Sequence, residues 1–356
     1  MKIDSCLIIK NEENNIERLI KQLLMFSNEI HITDTGSTDE TINIINNLMS
    51  SFNNIFLHYF EWCDDFSKAR NYSLTCYECN ADYQFWCDGD DELNDILIDT
   101  LRNFNGNDDA YIFNYLYDIS LNFIHQRISL INVKSNLVWK DPIHEYLDIL
   151  DKHIVNSSLF DNGSLIIHHK IDESLHRQRN LNIYKNMEKN HYNFSCRNRY
   201  YYGVELYYDN LFEYAAYQFM KCIEDEEFNQ VDKINACKYL LSLDKEIALQ
   251  CFYKLFSKED YIRKDLFYAV GNYFFNKEHY ELSKLYYKLC INCEEPNEEL
   301  IFLYDQNCHI NSLLQLGLIE YNKGNIDLFT KYNKDILEID KDNETAKYNL
   351  SLLNEG

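Results

Sequence analysis

The N-terminal half of the chain alternates between short apolar runs and segments in which apolar residues recur at helical spacing. Four apolar runs are rich in β-branched or aromatic side chains and have the length of strands. They cover residues 3–9, 29–34, 55–60 and 83–87, and strand-like runs follow at 111–117 and 127–131. The β-α-β-α-β-α-β order of the first part predicts a mostly parallel sheet covered by helices.

The C-terminal half has a different pattern, in which aromatic-rich helical periodicity begins by about Ser174. Gly203 and Gly271 lie twice 34 residues apart, and 34 is the period of the tetratricopeptide repeat. A further repeat begins near Gly317. The spacing predicts an all-α, tetratricopeptide-like solenoid, with a generic helical bundle as the alternative. We expect a first domain at residues 1–170, a connecting helix at 171–195 and helical repeats at 196–356.

Polar side chains follow the carboxyl ends of several predicted strands. Lys10 and Asn11 come after the first strand, Asp34 ends the second, and Asp88 follows the fourth. Ligands of open α/β sheets bind at this edge, where the ends of parallel strands meet. We therefore expect these side chains to lie close together around a ligand.

The fourth strand runs into an acidic turn that contains Asp88, Gly89, Asp90 and Asp91. Carboxylate oxygens suit hard cations such as Mg²⁺ or Mn²⁺, and the glycine lets the backbone turn so that two carboxylates approach one ion. The alternative is a solvated acidic turn that caps the next helix. The common edge of the sheet favours the metal site.

Composition narrows the class of ligand. The formal net charge of −24 disfavours general binding to nucleic acid or to anionic membranes. The chain contains neither of the two common glycine-rich phosphate-binding motifs, Gly-x-Gly-x-x-Gly and Gly-x-x-x-x-Gly-Lys-Ser/Thr. It has only nine glycines. A nucleotide diphosphate beside several carboxylates would be repelled unless a divalent cation bridged them. The sequence therefore favours a metal-dependent site over a glycine-rich phosphate cradle.

The cysteines and the lengths of the apolar runs indicate the cellular compartment. Twelve scattered cysteines fit reduced thiols better than a disulfide framework. The apolar run near the N-terminus is too short for a signal peptide, and no run reaches membrane-spanning length. We expect a cytoplasmic protein. Two Cys-x-x-Cys pairs, at 76/79 and 290/293 in helical-looking segments, are read as small buried side chains, with structural zinc as the alternative.

Four segments resemble, in order, the motifs of family 2 glycosyltransferases. They are CLIIKNEE at 6–13, DTGSTD at 34–39, FEWCDDFSKARN at 60–71 and WCDGDDE at 86–92. The chain resembles most closely the branch with C-terminal tetratricopeptide repeats, which includes sublancin-type peptide S-glycosyltransferases. The resemblance implies a Rossmann-like GT-A fold, a nucleotide-sugar donor for which a UDP-sugar is expected, a divalent metal, and inversion at the anomeric carbon.

The resemblance also assigns residues to roles. It implies that Asp34 contacts the nucleoside, that Asp65 and Arg70 lie near the nucleotide pocket, and that Asp88 and Asp90 hold the metal and the donor diphosphate. Gly89 stands where relatives usually have a small residue such as alanine, a change that should preserve the turn. Asp65 as a helix cap and Arg70 as a surface ion pair are the structural alternatives.

A later loop carries His144 and Glu145, in a position that matches the His-Glu loop of the same branch. This pair could complete the metal shell, with His144 as a ligand, or deprotonate the acceptor. A structural hydrogen-bonded pair is equally compatible with the sequence. Asp91, His144 and Glu145 are unranked candidates for the base. Arg127 is a candidate phosphate contact, and no catalytic role is assigned to the pair at 168–169.

These patterns together predict a cytoplasmic, metal-dependent, inverting glycosyltransferase of the hexosyltransferase type. Its acceptor would be a peptide, a protein or a glycan, and the helical repeats would recruit it or form a homo-oligomer. Two alternatives stay open. One is a binding scaffold with a degenerate transferase domain, and the other is a nucleotidyltransferase on a related fold.

Overall fold

A computed structural model describes residues 1–118, 123–149, 153–155, 163–169, 173–226, 230–257, 263–294 and 307–353. Contacts divide the chain into two compact units, Met1–Asn190 and His191–Gly356. The boundary predicted between residues 170 and 171 lies outside the described residues. An α/β domain followed by an all-α domain is confirmed by the elements below.

The N-terminal unit alternates strands and helices as the apolar pattern predicts. Its elements are β1 (Ile3–Ile9), α1 (Ile16–Leu23), β2 (Ile30–Asp34), α2 (Thr41–Met49), β3 (Ile55–Tyr59), α3 (Phe66–Thr75), β4 (Tyr83–Asp88), β5 (Asp91–Leu93), α4 (Asp95–Arg102), β6 (Ala110–Asp118), β7 (Phe123–Asn132), a 3₁₀ turn (Val133–Ser135), β8 (Trp139–Lys140), β9 (Tyr146–Leu147), β10 (Ile154–Val155), β11 (Ile166–His168) and α5 (Glu173–Lys189).

Among the described residues, nine strands form one sheet in the order β3-β2-β1-β4-β7-β6-β11-β5, with β10 paired to β6. The first four strands are parallel, whereas β7 is antiparallel to both β4 and β6. Every residue of β1 is buried, as expected for a parallel strand covered on both faces. On one face, Ile16, Leu19, Ile20 and Leu23 of α1 join the main apolar core.

The sheet register sets the position of the candidate site. Ile8 of β1 lies beside Asp88 of β4, and Ile9 lies beside Asp34 of β2, so the polar residues that follow these strands share one edge. At the other end of the sheet, β11 runs antiparallel to β5 and sets His168 opposite Asp91. Long-range strand pairing therefore adds a histidine to the edge that carries the acidic turn.

The C-terminal unit is a run of helical hairpins. Its helices are α6 (Cys196–Tyr208), α7 (Phe212–Glu224), α8 (Gln230–Ser242), α9 (Ile247–Phe256), α10 (Lys264–Asn276), α11 (Tyr280–Asn292), α12 (Cys308–Asn322), α13 (Ile326–Ile339) and α14 (Glu344–Ser351). Left-handed residues at Asn210, Asp244 and Glu278 lie between the two helices of three successive hairpins, at intervals of 34 residues. The 34-residue period is thus present in the backbone, and its assignment to tetratricopeptide repeats stays a prediction.

Helical glycines set the close approach within two of these hairpins. A Cβ added at Gly203 would lie 2.5 Å from the ring of Phe219, and one added at Gly271 would lie 2.5 Å from the ring of Tyr287. Real Cβ atoms do not come so close to a ring, so both positions exclude a side chain. Gly317 differs, because the nearest atom to an added Cβ would be 3.5 Å away.

This difference gives a matched pair of substitutions. Gly271→Ala forces the buried ring of Tyr287 to move, and we expect the free energy of unfolding to fall by about 1–2 kcal/mol, because overpacking outweighs the helix propensity of alanine. Gly317→Ala meets no clash, so helix propensity should raise the free energy of unfolding by about 0.5–1 kcal/mol. Urea unfolding followed by far-ultraviolet circular dichroism measures both. Equal effects of the two substitutions would contradict the packing described here.

Candidate active site

The acidic turn joins β4 to β5, which are consecutive in the chain but are not neighbours in the sheet, at the carboxyl end of β4. Asp88 is the last residue of β4 and Asp91 is the first of β5, so only Gly89 and Asp90 lie between them. A Cβ at Gly89 would lie 2.7 Å from Cγ of Glu12, which comes from the loop after β1. Glycine is therefore needed here because the turn lies directly against Glu12. Within the turn, the backbone amide of Asp88 donates to Asp91 Oδ2 at 2.9 Å.

Two arginines hold the carboxylates of the turn. Arg70 of α3 donates from Nη2 to Asp88 Oδ1 at 2.8 Å, and Arg127 of β7 donates from Nη1 to Asp88 Oδ2 at 3.0 Å. Arg127 Nη2 also donates to Asp91 Oδ2 at 2.5 Å, while Arg70 Nε donates to Glu145 Oε1 at 2.6 Å. Burial alone would raise the pKa of Asp88, but the two guanidinium groups more than offset it, and its pKa is lowered.

Aromatic rings fix the planes of both guanidinium groups. Arg127 lies over Tyr115 at 3.9 Å and over Trp86 at 4.4 Å from each ring centroid. Arg70 lies over the other side of the cluster, 4.5 Å from Trp86 and 5.2 Å from Trp139. Stacking of this kind adds about 0.5–2 kcal/mol per contact and favours arginine over lysine. Two fixed cations therefore lie beneath the acidic turn.

Asp90 is the acid of the turn that has no arginine partner among the described residues. It is 7% exposed, and burial, with the nearby charges of Asp88, Asp91 and Glu12, raises its pKa to about 8. Burial also raises the pKa of Glu12 to about 7, and Asp88 contributes in the same direction. A divalent cation would remove this repulsion, since it favours the ionised form of each carboxyl.

A histidine from the far side of the sheet completes a group of possible metal ligands. Asp90, Asp91 and His168 offer ligand atoms that all lie within 4.8 Å of one another, and His168 Nδ1 is 3.3 Å from Asp90 Oδ2. Two carboxylates and one imidazole suit Mn²⁺ or Mg²⁺ with water in the remaining positions. The residues present at the turn thus fit a divalent metal.

The residues predicted for the nucleoside side lie at the same edge. The carboxylate of Asp34 accepts from the backbone amides of Gly36 and Ser37, each at 3.0 Å. Asn11 is in the left-handed region and its Oδ1 accepts from the amide of Thr38 at 2.8 Å. Lys10 is exposed where β1 ends. The structure brings these three predicted residues to one loop cluster, and their contact with a nucleotide stays a prediction.

Asp65 and Arg70 belong to the same helix, α3: Asp65 lies at its N-terminus and Arg70 lies within it. Asp65 caps α3, because its Oδ1 accepts from the Lys68 amide at 3.0 Å and from Ser67 Oγ at 2.7 Å. The cap considered from the sequence is therefore present, and a role of Asp65 at the nucleotide stays a prediction. Arg70 is not the surface ion pair considered as an alternative, since it is buried between two carboxylates.

The His-Glu loop is divided between two environments. Glu145 lies near the acidic turn, because it accepts from Arg70, which also donates to Asp88. His144 has a left-handed backbone, and its ring stacks with Tyr184 of α5 at a centroid distance of 6.2 Å. His144 does not belong to the group formed by Asp90, Asp91 and His168 among the described residues. Its assignment as a metal ligand or base stays a prediction.

Sequence reasoning missed three residues of this site, which are Glu12, Tyr115 and His168. His168 became part of it through the antiparallel pairing of β11 with β5, and Glu12 through the close approach that Gly89 allows. Tyr115 donates to Asp91 Oδ1 at 3.0 Å and was read only as part of an aromatic strand. Alternation along residues 164–169 indicated only that at most one histidine of the pair would face the site.

Comparisons with known proteins relate the N-terminal unit to one protein family. The model of the family described as Glycosyl transferase family 2 matches residues 5–155, all of which lie in the N-terminal unit. This range spans the acidic turn and the His-Glu loop, and it confirms the glycosyltransferase expected from the four motifs. A comparison with curated proteins found no match.

Solved structures of low identity align with most of the chain. The crystal structure of S. aureus TarS residues 1–349 in complex with UDP-GlcNAc has a TM-score of 0.38 and 12% identity, covering 92% of this chain and 89% of that one. The mannosyltransferase PcManGT from Pyrobaculum calidifontis, in complex with GDP-Man and Mn²⁺, has a TM-score of 0.40 and 10% identity, covering 81% of this chain and 85% of that one. Within the described ranges, every helix is too short or too polar to cross a bilayer.

The raised pKa of Asp90 predicts a pH dependence of stability in the absence of metal. The unfolded chain releases this proton near pH 4 and the folded chain near pH 8, so the folded state binds more protons between these values. Stability from this group is present below about pH 4 and is lost as the pH rises to about 8. Asp90→Asn cannot ionise, and we expect its melting temperature to gain on that of the wild type over this interval.

Thermal melts in chelator at pH 5, 6, 7 and 8 measure this difference. Asp95→Asn is the matched control, because Asp95 is an exposed acid in the first turn of α4, close in sequence to the acidic turn. A difference between Asp90→Asn and wild type that does not change with pH would show that Asp90 is an ordinary ionised surface acid.

Proposed function

We propose that this protein is a metal-dependent, inverting glycosyltransferase that moves a sugar from a nucleotide-sugar donor to an acceptor. The observation that carries the proposal is the acidic turn, where Asp88, Asp90 and Asp91 meet two buried arginines at the carboxyl edge of a family 2 domain. A diphosphate is the group that needs both features, since its oxygens pair with arginines and bind a metal held by carboxylates.

The metal is Mn²⁺ or Mg²⁺, and Asp90 is its central ligand in this proposal. Asp91 and His168 support it from the adjacent strands, and His144 is the ligand that the family resemblance adds. When bound, the ion neutralises the nucleoside diphosphate as it leaves. Asp88 was expected among the ligands. Its two oxygens instead accept from Arg70 and Arg127, so we assign it the positioning of these arginines toward the diphosphate.

The base that deprotonates the acceptor is assigned to the His-Glu loop. Asp91 is poorly suited to this role, because it is fully buried and already accepts from Arg127, Tyr115 and the Asp88 amide. Glu145 uses Oε1 to accept from Arg70 and can take up a proton at Oε2. Glu145 and His144 therefore stay the two candidates, and attack by the acceptor opposite the leaving group gives inversion.

Two further assignments follow from the resemblance and from the helical unit. The donor is expected to be a UDP-sugar, bound with its nucleoside near Asp34 and Asp65. The C-terminal hairpins are proposed to bind a peptide, protein or glycan acceptor, or to form a homo-oligomer, in the cytoplasm. The rival scaffold is disfavoured because the acids of the turn are all present, and Asp88 and Asp91 are held by hydrogen bonds from arginines. A nucleotidyltransferase would instead turn over nucleoside triphosphates.

Substitution at Asp90 tests the proposal. Asp90→Asn keeps the size of the side chain but removes its charge, and we expect Mn²⁺-dependent release of nucleoside diphosphate from the donor to fall at least about 100-fold, as for removal of one electrostatic group of an active site. Melting temperature should not fall, because the substitution relieves repulsion among buried acids. Nucleoside diphosphate is measured with a coupled assay at saturating donor and limiting Mn²⁺.

Asp95→Asn serves again as the control and should keep wild-type turnover, because Asp95 is exposed on α4. Near-wild-type turnover by folded Asp90→Asn would remove Asp90 from the metal site. Turnover of nucleoside triphosphates but not of sugar nucleotides by the wild type would favour the nucleotidyltransferase.

A further inference from the structure

A second cluster of metal-ligating side chains lies away from the acidic turn, near the beginning of the parallel strands. Asp4 is the second residue of β1, His31 is the second residue of β2, and Glu29 directly precedes β2. In the sheet register, Asp4 is paired with Gln84, four residues before Asp88 on β4. At about 3.3 Å per residue, the two clusters are separated by about 13 Å along the strands.

Three metal-ligating side chains lie together in this cluster, and a thiol lies beside one of them. Oxygen and nitrogen atoms of Asp4, Glu29 and His31 all lie within 4.8 Å of one another, and His31 Nε2 is 3.1 Å from Glu29 Oε2. Cys79, from the segment after α3, adds a thiol whose Sγ is 3.5 Å from Asp4 Oδ2. Asp4 and His31 are each only 3% exposed. The cluster is thus a mixed set of two carboxylates, an imidazole and a thiol, half of it buried.

The charge of this cluster is not balanced by a basic side chain. Within the described part of the chain, neither Asp4 nor Glu29 forms an ion pair with lysine or arginine. The carboxylate of Asp4 instead accepts from the Tyr77 hydroxyl at 3.3 Å and from the Cys79 thiol. A buried carboxyl with only neutral donors is unfavourable when ionised, and a bound cation would offset this.

We propose that Asp4, Glu29, His31 and Cys79 form a second metal site, which binds Zn²⁺. Zinc is selected over Mn²⁺ or Mg²⁺ because thiolate and imidazole are borderline or soft ligands, whereas the acidic turn offers mainly hard oxygen atoms. Tetrahedral zinc with a Zn–O distance of about 2.0 Å and a Zn–S distance of about 2.3 Å requires an O···S separation of about 3.5 Å. The separation of Asp4 Oδ2 and Cys79 Sγ is 3.5 Å.

The surroundings of His31 suit a metal ligand. Its Nδ1 lies 3.0 Å from Nε2 of His58, so His31 can donate a hydrogen bond from Nδ1–H to His58 and keep Nε2 for the metal. The ring of Tyr77 stacks on His31 at a centroid distance of 3.3 Å and fixes its plane. Cys79 would lose its thiol proton on binding.

The site would connect three separate parts of the sheet domain. Asp4 anchors β1, Glu29 and His31 anchor β2, and Cys79 anchors the segment that leaves α3. Because α3 also carries Arg70, zinc at its C-terminal end would restrain the helix that supplies one of the two cations at the acidic turn. The sequence prediction set Cys79 in a helix; α3 instead ends at Thr75, and the freed chain turns Cys79 toward Asp4.

Metal analysis of the full chain tests this site with zinc alone. The wild type, loaded with Zn²⁺ and dialysed, should retain about one equivalent by mass spectrometry of the metal, as a closed four-ligand site does. Replacement by Co²⁺ should give a thiolate-to-cobalt charge-transfer band, which carboxylate and imidazole ligands of the acidic turn cannot produce. Cys79→Ser should abolish this band and weaken zinc binding at least about 100-fold, more than loss of an outer-shell partner.

Cys293→Ser is the matched control, because Cys293 is also a half-buried cysteine of a Cys-x-x-Cys pair, and it should keep both the band and the zinc. Asp4→Asn is a second variant that preserves shape and should lose zinc as well. Circular dichroism checks that each variant folds. A wild type that retains no zinc and gives no charge-transfer band, or a Cys79→Ser protein that keeps both, would overturn the proposal.

Discussion

The N-terminal unit is organised by the repulsion among carboxyl groups at the end of β4. Glu12, Asp88, Asp90 and Asp91 approach one another in a space from which water is largely excluded, and only Asp88 and Asp91 are paired with arginines. Burial of like charges is unfavourable by several kcal/mol unless a cation compensates. The pKa of Asp90, raised to about 8, reports the charge that the two arginines leave unpaired. A divalent metal would restore the balance, and its charge together with the arginines would then allow a diphosphate to bind.

The rest of the domain holds the two arginines where this balance requires them. Arg70 is carried by α3, whose N-terminus is fixed by the Asp65 cap, and Arg127 is carried by the middle of the long strand β7. The aromatic rings of Trp86, Trp139 and Tyr115 hold the guanidinium planes and limit their contact with water. The fold therefore holds Arg70 and Arg127 in fixed positions against the acidic turn.

Much of this arrangement could be predicted from local sequence pattern. The apolar runs predicted β1, β2, β3 and β4 to within a residue or two. The signal is most continuous in β1, because every residue of this parallel strand is buried. The position of Asp88 at a strand end followed directly from that pattern. The 34-residue period also predicted helical hairpins whose turns recur at that interval.

Other features depend on contacts between distant parts of the chain and carried no local signal. His168 reaches the acidic turn only because the short strand β11 pairs with β5, and strand pairing across some 75 residues cannot be inferred from alternation. The thiol of Cys79 meets Asp4 because α3 ends early, a boundary that propensity fixes only to a few residues. The roles of Asp88 and Glu145 likewise depend on which carboxylate each arginine selects.

Calorimetric titration of UDP into the full chain, with Mn²⁺ and after removal of metal, tests the central claim most directly. If the acidic turn collects a metal and a diphosphate together, UDP should bind in the presence of Mn²⁺, and removal of the metal should weaken binding at least about tenfold, or about 1.4 kcal/mol. UDP binding of equal affinity with and without metal would contradict the account, because the carboxyl groups of the turn would then have no part in holding the donor.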